Sequence, residues 1–126
     1  MKIKITAKST GEVPAEIIES LNQKTAKAVI DALPIRGLGS RWGDEIYFSI
    51  GVSVQSENAK DIVEVGDIAY WPPGQALCIF FGPTPASRGQ EPRAASPVNV
   101  FGKVLNDASV FRKVRSGEEV VITKSE

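Results

Sequence analysis

Apolar and polar residues alternate through Met1-Lys2-Ile3-Lys4-Ile5-Thr6, the period of a half-buried strand, and Ser9-Thr10-Gly11-Glu12 is a turn returning the chain through Val13-Pro14-Ala15-Glu16-Ile17. Pro14 has no amide proton for a ladder, so this second arm lies at an edge or exposes that position. From Asn22 the period lengthens. Ala26, Val29, Ile30 and Leu33 share one face while Lys24, Lys27 and Asp31 lie elsewhere, which predicts a helix over about 22–33. Asn22 is its expected N-cap, and Pro34 with the Gly37 to Gly39 stretch its stop. Alternation then resumes, with Ile46, Phe48, Ile50, Val52 and Val54 on one side of a strand and Glu45, Tyr47, Ser49, Gly51 and Ser53 on the other. Gly66-Asp67 leads into Ile68-Ala69-Tyr70-Trp71, the turn Pro72-Pro73-Gly74, and a run from Ala76 to Phe81 that is apolar on both faces, as a central strand is. Strands are expected again at Val98–Val104 and Glu119–Thr123, with a short second helical turn at about 108–113. Gly82 to Pro97 has no period, and a loop of that length in a compact domain is usually functional or mobile. The expected class is mainly β, and closure into a barrel is the economical way to remove so many strand edges.

Composition narrows the chemistry. A chain of 126 residues with 42% hydrophobic content fits one domain, 1–126, with a core large enough to need no disulfide or structural metal. It has no histidine and a single cysteine, which removes the usual zinc cluster and any Ser/His or Cys/His couple. Fifteen basic residues balance fifteen acidic ones with the signs interspersed, so no nucleic-acid or membrane partner is expected. The amino terminus lacks the apolar stretch of a signal peptide and no window resembles a membrane span, so the expected location is cytoplasmic. No cofactor and no metal site are implied.

Each candidate residue has a functional and a structural reading. Arg41-Trp42 after a glycine-rich loop would place a guanidinium and an aromatic ring at a pocket mouth, or cover a barrel end. Tyr70-Trp71-Pro72-Pro73-Gly74 joins two flat rings to a stiff backbone, which suits an extended peptide. It equally suits a rigid turn with proline for its fixed φ and glycine for a positive one. Asp44 and Glu45 are adjacent on a strand, hence on opposite sides, and are assigned to the surface or to loop anchoring. Arg88 and Arg93 on the Pro/Gly loop would clamp an anion or stand in solvent. Cys78 lies in the central strand, where a thiol is a small buried hydrophobe. Gly37-Leu38-Gly39-Ser40 lacks the lysine and the strand-to-helix setting of a phosphate loop.

Two segments carry a resemblance. Gly11 to Ala26, with Lys24-Thr25-Ala26 opening a helix that ends in Ala32-Leu33, resembles the start of a cyclophilin. Val98-Asn99-Val100-Phe101-Gly102-Lys103-Val104, followed by Val110 to Arg115, Gly117 and a closing Val-Val-Ile-Thr strand, is similar to the carboxy-terminal part of that family. Trp42 to Phe48 and Gly66 to Gly82 resemble the small prokaryotic cyclophilin-like proteins, a family of unassigned function that covers the whole length. The resemblance implies a closed barrel of about eight strands. Cyclophilins isomerise X-Pro bonds with an arginine on a strand that starts Phe-His-Arg. Here the corresponding region reads Ser40-Arg41-Trp42-Gly43-Asp44-Glu45, and Leu77 stands where the family has glutamine, so an efficient isomerase is not expected.

The expected function is therefore a binding module, with a groove drawn from Arg41, Trp42, Tyr47, Tyr70, Trp71, Phe80, Phe81 and Arg88 holding a peptide or a small organic molecule. A weak prolyl isomerase using Arg41 or a loop arginine, and a self-association module, are the alternatives.

Overall fold

The computed structural model describes residues 1–125. Its strands are β1 (Lys2–Ala7), β2 (Gly11–Ile17), β3 (Ile35–Leu38), β4 (Ser40–Arg41), β5 (Glu45–Ser49), β6 (Lys60–Ile62), β7 (Asp67–Trp71), β8 (Ala76–Phe80), β9 (Arg93–Val104) and β10 (Glu119–Lys124). One α-helix, α1 (Gln23–Ala32), and two 3-10 turns, Pro72–Gly74 and Ala108–Lys113, complete the described elements. The sheet runs in the order β3-β10-β1-β2-β9-β7-β8-β5-β4, and β6 pairs separately with β9. Its two end strands are consecutive in the chain, with only Gly39 between them. The circuit is thus completed by the backbone through Gly39, not by hydrogen bonds between its end strands. Counted as one run, β3 and β4 make the eighth member of the ring, so the closed barrel expected from sequence is mainly β as read but closed by chain continuity. No described helix is long and apolar enough to cross a membrane.

The first hairpin and the last strand form where alternation places them. Ile3 and Ile5 face inward opposite Ala15 and Val13. Pro14 sits opposite Lys4 in β1, while the β9 ladder touches only Ala15–Ile17, so the missing amide proton faces no ladder partner. The Pro14 carbonyl accepts from the Leu105 amide at 3.0 Å. Three short strands, β3, β4 and β6, were not expected, and the strand expected to reach Val54 stops at Ser49. Beyond it Gly51 takes a positive φ of 69°, and the segment finds side chains instead of a neighbouring strand. The Tyr70 hydroxyl donates to the Val52 carbonyl and accepts from the Val54 amide, while Asn99 accepts from the Glu57 amide and donates to the Gln55 carbonyl. Buried peptide groups need partners, and here Tyr70 and Asn99 substitute for a ladder. The strand expected at Val98 begins five residues earlier, at Arg93, because β6 pairs along that extension.

Helix α1 starts after Asn22 as read, but Asn22 does not cap it with its side chain. Its Nδ2 donates instead to the Val100 carbonyl at 2.6 Å. The first turn is capped from outside by Glu57, whose carboxylate accepts from the amides of Lys24 (3.1 Å) and Thr25 (3.0 Å) and from Thr25 Oγ1 (2.9 Å). Some burial opposes ionisation of Glu57, yet these hydrogen bonds and nearby Lys24 hold its carboxyl below the usual range. Replacing Glu57 with alanine should cost about 1 kcal/mol, the usual worth of a lost helix cap. Urea unfolding at neutral pH measures this, and an unchanged midpoint would show that water caps the helix equally well.

The core has two parts. Ile3, Ile5, Ile17, Phe48, Phe101 and Ile122 belong to the main cluster, which also takes in Ala26 and Val29 of α1. A smaller cluster on the opposite face of the sheet comprises Val63, Ala69, Cys78, Phe80, Ala94, Val98 and Val100.

Candidate functional site

The smaller cluster carries a cavity. Trp42, Glu45, Tyr47, Trp71, Ala94, Ala95 and Val98 line a space of about 180 Å³. Strand alternation assembles it: Glu45 and Tyr47 lie on one face of β5 opposite Phe80 and Cys78 of β8, and Ala69, opposite Cys78, is two residues from Trp71 on β7. Two larger hollows, one of 490 Å³ beside the segment leading into α1 and one of 370 Å³ against α1 itself, have no aromatic side chain on their walls.

Trp71 is held on two sides. Its indole Nε1 donates to Ser96 Oγ at 2.7 Å, and its ring lies so close over Gly74 that a Cβ there would come within 2.7 Å of the ring. The Pro72–Gly74 turn therefore needs its glycine for the ring above it. The positive φ expected of Gly74 belongs to Gln75, at 46°. Trp42 occupies a tight turn in which its amide donates to the Glu45 carbonyl at 3.0 Å. At the centre of that turn Gly43 has φ 62°, and a Cβ there would meet Thr84 Cα at 2.9 Å, so the Gly82 loop packs directly against it.

Of the residues singled out from sequence, Trp42, Tyr47 and Trp71 meet at the cavity, and Phe80 lies buried beneath them in the same cluster. The others lie elsewhere. Tyr70 and Phe81 point to the main core, as their neighbours' outward orientation requires; Tyr70 holds the Val52 segment and Phe81 packs against Phe111 with ring centroids 6.3 Å apart. The Arg41 guanidinium donates to the carbonyls of Gly43 (3.0 Å), Arg112 (3.1 Å) and Val114 (3.0 Å), pairs with Asp44 at 3.5 Å, and sits 5.1 Å from the centre of the Phe81 ring. It joins the second 3-10 turn to β4. Arg88 is exposed on the loop. Arg93 is paired with Asp61 and Glu91, both at 3.4 Å. The loop itself is tied internally: Thr84 Oγ1 donates to the Arg93 carbonyl, Ser87 Oγ accepts from the Thr84 amide at 2.9 Å, and Glu91 accepts from the Arg88 amide at 2.8 Å.

The acidic pair divides. Asp44 anchors the loop as expected, its amide donating to the Pro83 carbonyl at 2.9 Å and its carboxylate facing Arg41 and Arg112. Glu45, assigned to the surface or to loop anchoring, is instead buried on the cavity wall, 6% exposed. Burial pushes its carboxyl up to about 7, against a small opposing effect of a hydrogen bond with Cys78. Burial, reinforced by the Glu45 charge and hydrogen bond, drives the Cys78 thiol well above its ordinary range, which keeps it protonated and a poor nucleophile. The signal for Glu45 was its spacing two residues from Tyr47. What hid it was that the start of β9, through Ala94, Ala95 and Val98, covers a face that reads as polar.

A family model described as cyclophilin-like matches residues 1–123. The solution structure of the hypothetical protein AF2241 from Archaeoglobus fulgidus is similar at a TM-score of 0.83 and 45% identity, over 99% of this chain and 95% of that one. The structure of McbB in complex with tryptophan is similar at a TM-score of 0.77 over 98% of this chain and 44% of that one, and its 17% identity makes the likeness one of fold. No curated protein matches the chain.

Proposed function

The chain belongs to the cyclophilin-like family, among its small members of unassigned function, and within that family we propose that it is a binding module for a small organic molecule held between Trp42, Tyr47 and Trp71. The observation that carries this reading is the aromatic-walled cavity on the smaller cluster. At about 180 Å³ it is comparable to an engineered protein cavity of roughly 150 Å³ that binds benzene, so one ring with a short substituent fills it. That size favours a small molecule over a peptide. McbB, whose structure holds tryptophan, shares this fold over part of its length. The isomerase alternative needs a guanidinium free to face a prolyl nitrogen; the bonds of Arg41 to three main-chain carbonyls speak against that residue, and leave the exposed Arg88 of the loop as the arginine it would require.

Indole is a suitable neutral probe. Amide NMR titration should shift residues 42–47, 71 and 94–98 selectively, and Trp71→Ala should weaken the interaction about tenfold, within the range for losing an aromatic anchor. Shifts scattered over the surface, or equal affinity in the variant, would remove this site from the reading.

A further inference from the structure

The wall of the cavity carries one carboxyl group, on Glu45, in surroundings that are otherwise the aromatic side chains of Trp42, Tyr47 and Trp71 and the small apolar ones of Ala94, Ala95 and Val98. An acid in such a place is costly when ionised unless a positive charge joins it. The protein supplies none: burial raises the carboxyl, the one group that opposes this is the Cys78 thiol through a hydrogen bond, and no lysine or arginine pairs with it among the described residues. Arg41 and Arg93, the cations nearest in the chain and on the covering strand, are tied to carbonyls, Asp44, Asp61 and Glu91. The remaining titratable groups there are the Tyr47 phenol on the wall and the Cys78 thiol opposite it, neither of which offers a positive charge. Aromatic rings, in turn, attract cations through their negative faces, and most strongly when water is excluded.

Resting on the reading of the cavity as a ligand site, we propose that its ligand is a compact organic ammonium ion, an aryl group on a short arm whose protonated amine seats on the Glu45 carboxylate between the Trp42, Tyr47 and Trp71 rings. The ligand brings the charge that the fold withholds. A zwitterionic amino acid suits the site less well, because its own carboxylate would enter a wall with no free cation.

The experiment compares 2-phenylethylammonium, neutral 2-phenylethanol and phenylalanine by NMR titration against the wild type at pH 5.5 and pH 8, and against Glu45→Gln at pH 8. The ammonium ion should bind at least tenfold more tightly than the alcohol at pH 8 and than phenylalanine. Its affinity should fall about tenfold or more on going to pH 5.5, where Glu45 is protonated, while the alcohol's stays level. In Glu45→Gln the preference for the amine should vanish. The wild-type pH comparison stands even if that variant folds poorly. Equal or tighter binding of the alcohol at pH 8 overturns the proposal while leaving the cavity a ligand site. Failure of all three probes to shift the cavity amides overturns both.

Discussion

Replacing Glu45 with glutamine is expected to flatten the pH dependence of stability between pH 4.5 and 8. In the folded protein the carboxyl is raised from its ordinary 4.5 to about 7 because it is buried. The folded state therefore holds a proton that the unfolded state releases at lower pH. The associated stability is fully present below about pH 4.5, declines as pH rises, and is gone above about pH 7. A displacement of that size corresponds to roughly 3 kcal/mol. Wild-type protein should accordingly lose roughly 3 kcal/mol between pH 4.5 and pH 8, or about 10 °C in melting temperature for a domain of this size. Glu45→Gln should lose little. Burial raises Asp67 as well, despite its bond from the Glu64 amide, so a residual slope of the same sign is expected in the variant. Glu57, Glu91, Asp107 and Glu118 are lowered by their hydrogen bonds, and their contributions disappear only as the solution becomes more acid than the Glu45 window. Chemical denaturation at several pH values measures the slope, and an identical slope in both proteins would place the Glu45 carboxyl in ordinary solvent. A gain in stability at pH 8 accompanied by loss of ammonium binding would show a stability cost retained for function.

Gly102→Ala should destabilise the fold by about 2–3 kcal/mol, the upper part of the range of about 1–3 kcal/mol for forcing extra volume into a packed interior. Gly102 lies in β9 between two partners, opposite Ile17 of β2 and Ile68 of β7, where the register shifts by a bulge. A Cβ at this position would stand 2.6 Å from the Glu16 carbonyl oxygen. That oxygen is main chain in a paired strand, so it cannot swing aside as a side chain would. Elsewhere a glycine-to-alanine change stabilises by about 0.4–1 kcal/mol through the unfolded chain. The opposing sign makes the test decisive: a urea midpoint that stays level or rises would show that the sheet opens at this point without cost.

The elements legible in sequence are those whose pattern is local. The first hairpin, α1, the 108–113 turn and β10 each carry their own period or cap, such as the Asp107 side chain accepting from the Ser109 amide at 3.0 Å. Strands β3 and β6 are too short for a period, and Gly37 in β3 is required by Phe48, whose ring would lie 2.5 Å from a Cβ there. The alternation through Ile50, Val52 and Val54 misleads because its partners are the side chains of Tyr70 and Asn99, distant in sequence. At the site, strand period alone separates Trp71 from Tyr70 and Phe80 from Phe81, since neighbours on a strand face opposite ways. It also sets Glu45 beside Tyr47. What local pattern does not contain is that the start of β9 folds over that face and turns a polar-looking side of the sheet into an interior.

The sheet order bears on how the chain can fold during synthesis. Strand β10 lies between β1 and β3, with Ile5 opposite Ile122 and Arg36 opposite Val121. Until residues 119–124 have left the ribosome, β1 and β3 each keep an open edge, and the ring has a gap where its last-made strand belongs. Early-made strands with open edges are the species most exposed to pairing with other chains. The charges on that flank, Lys2 and Lys4 on β1 and Arg36 on β3, find Glu16, Glu12 and Glu119 in the folded protein. Lys2 and Lys4 already meet their carboxylates on β2, so before β10 arrives it is Arg36, still without Glu119, that keeps on the open β3 edge a positive charge that discourages a nascent chain from adding a foreign strand.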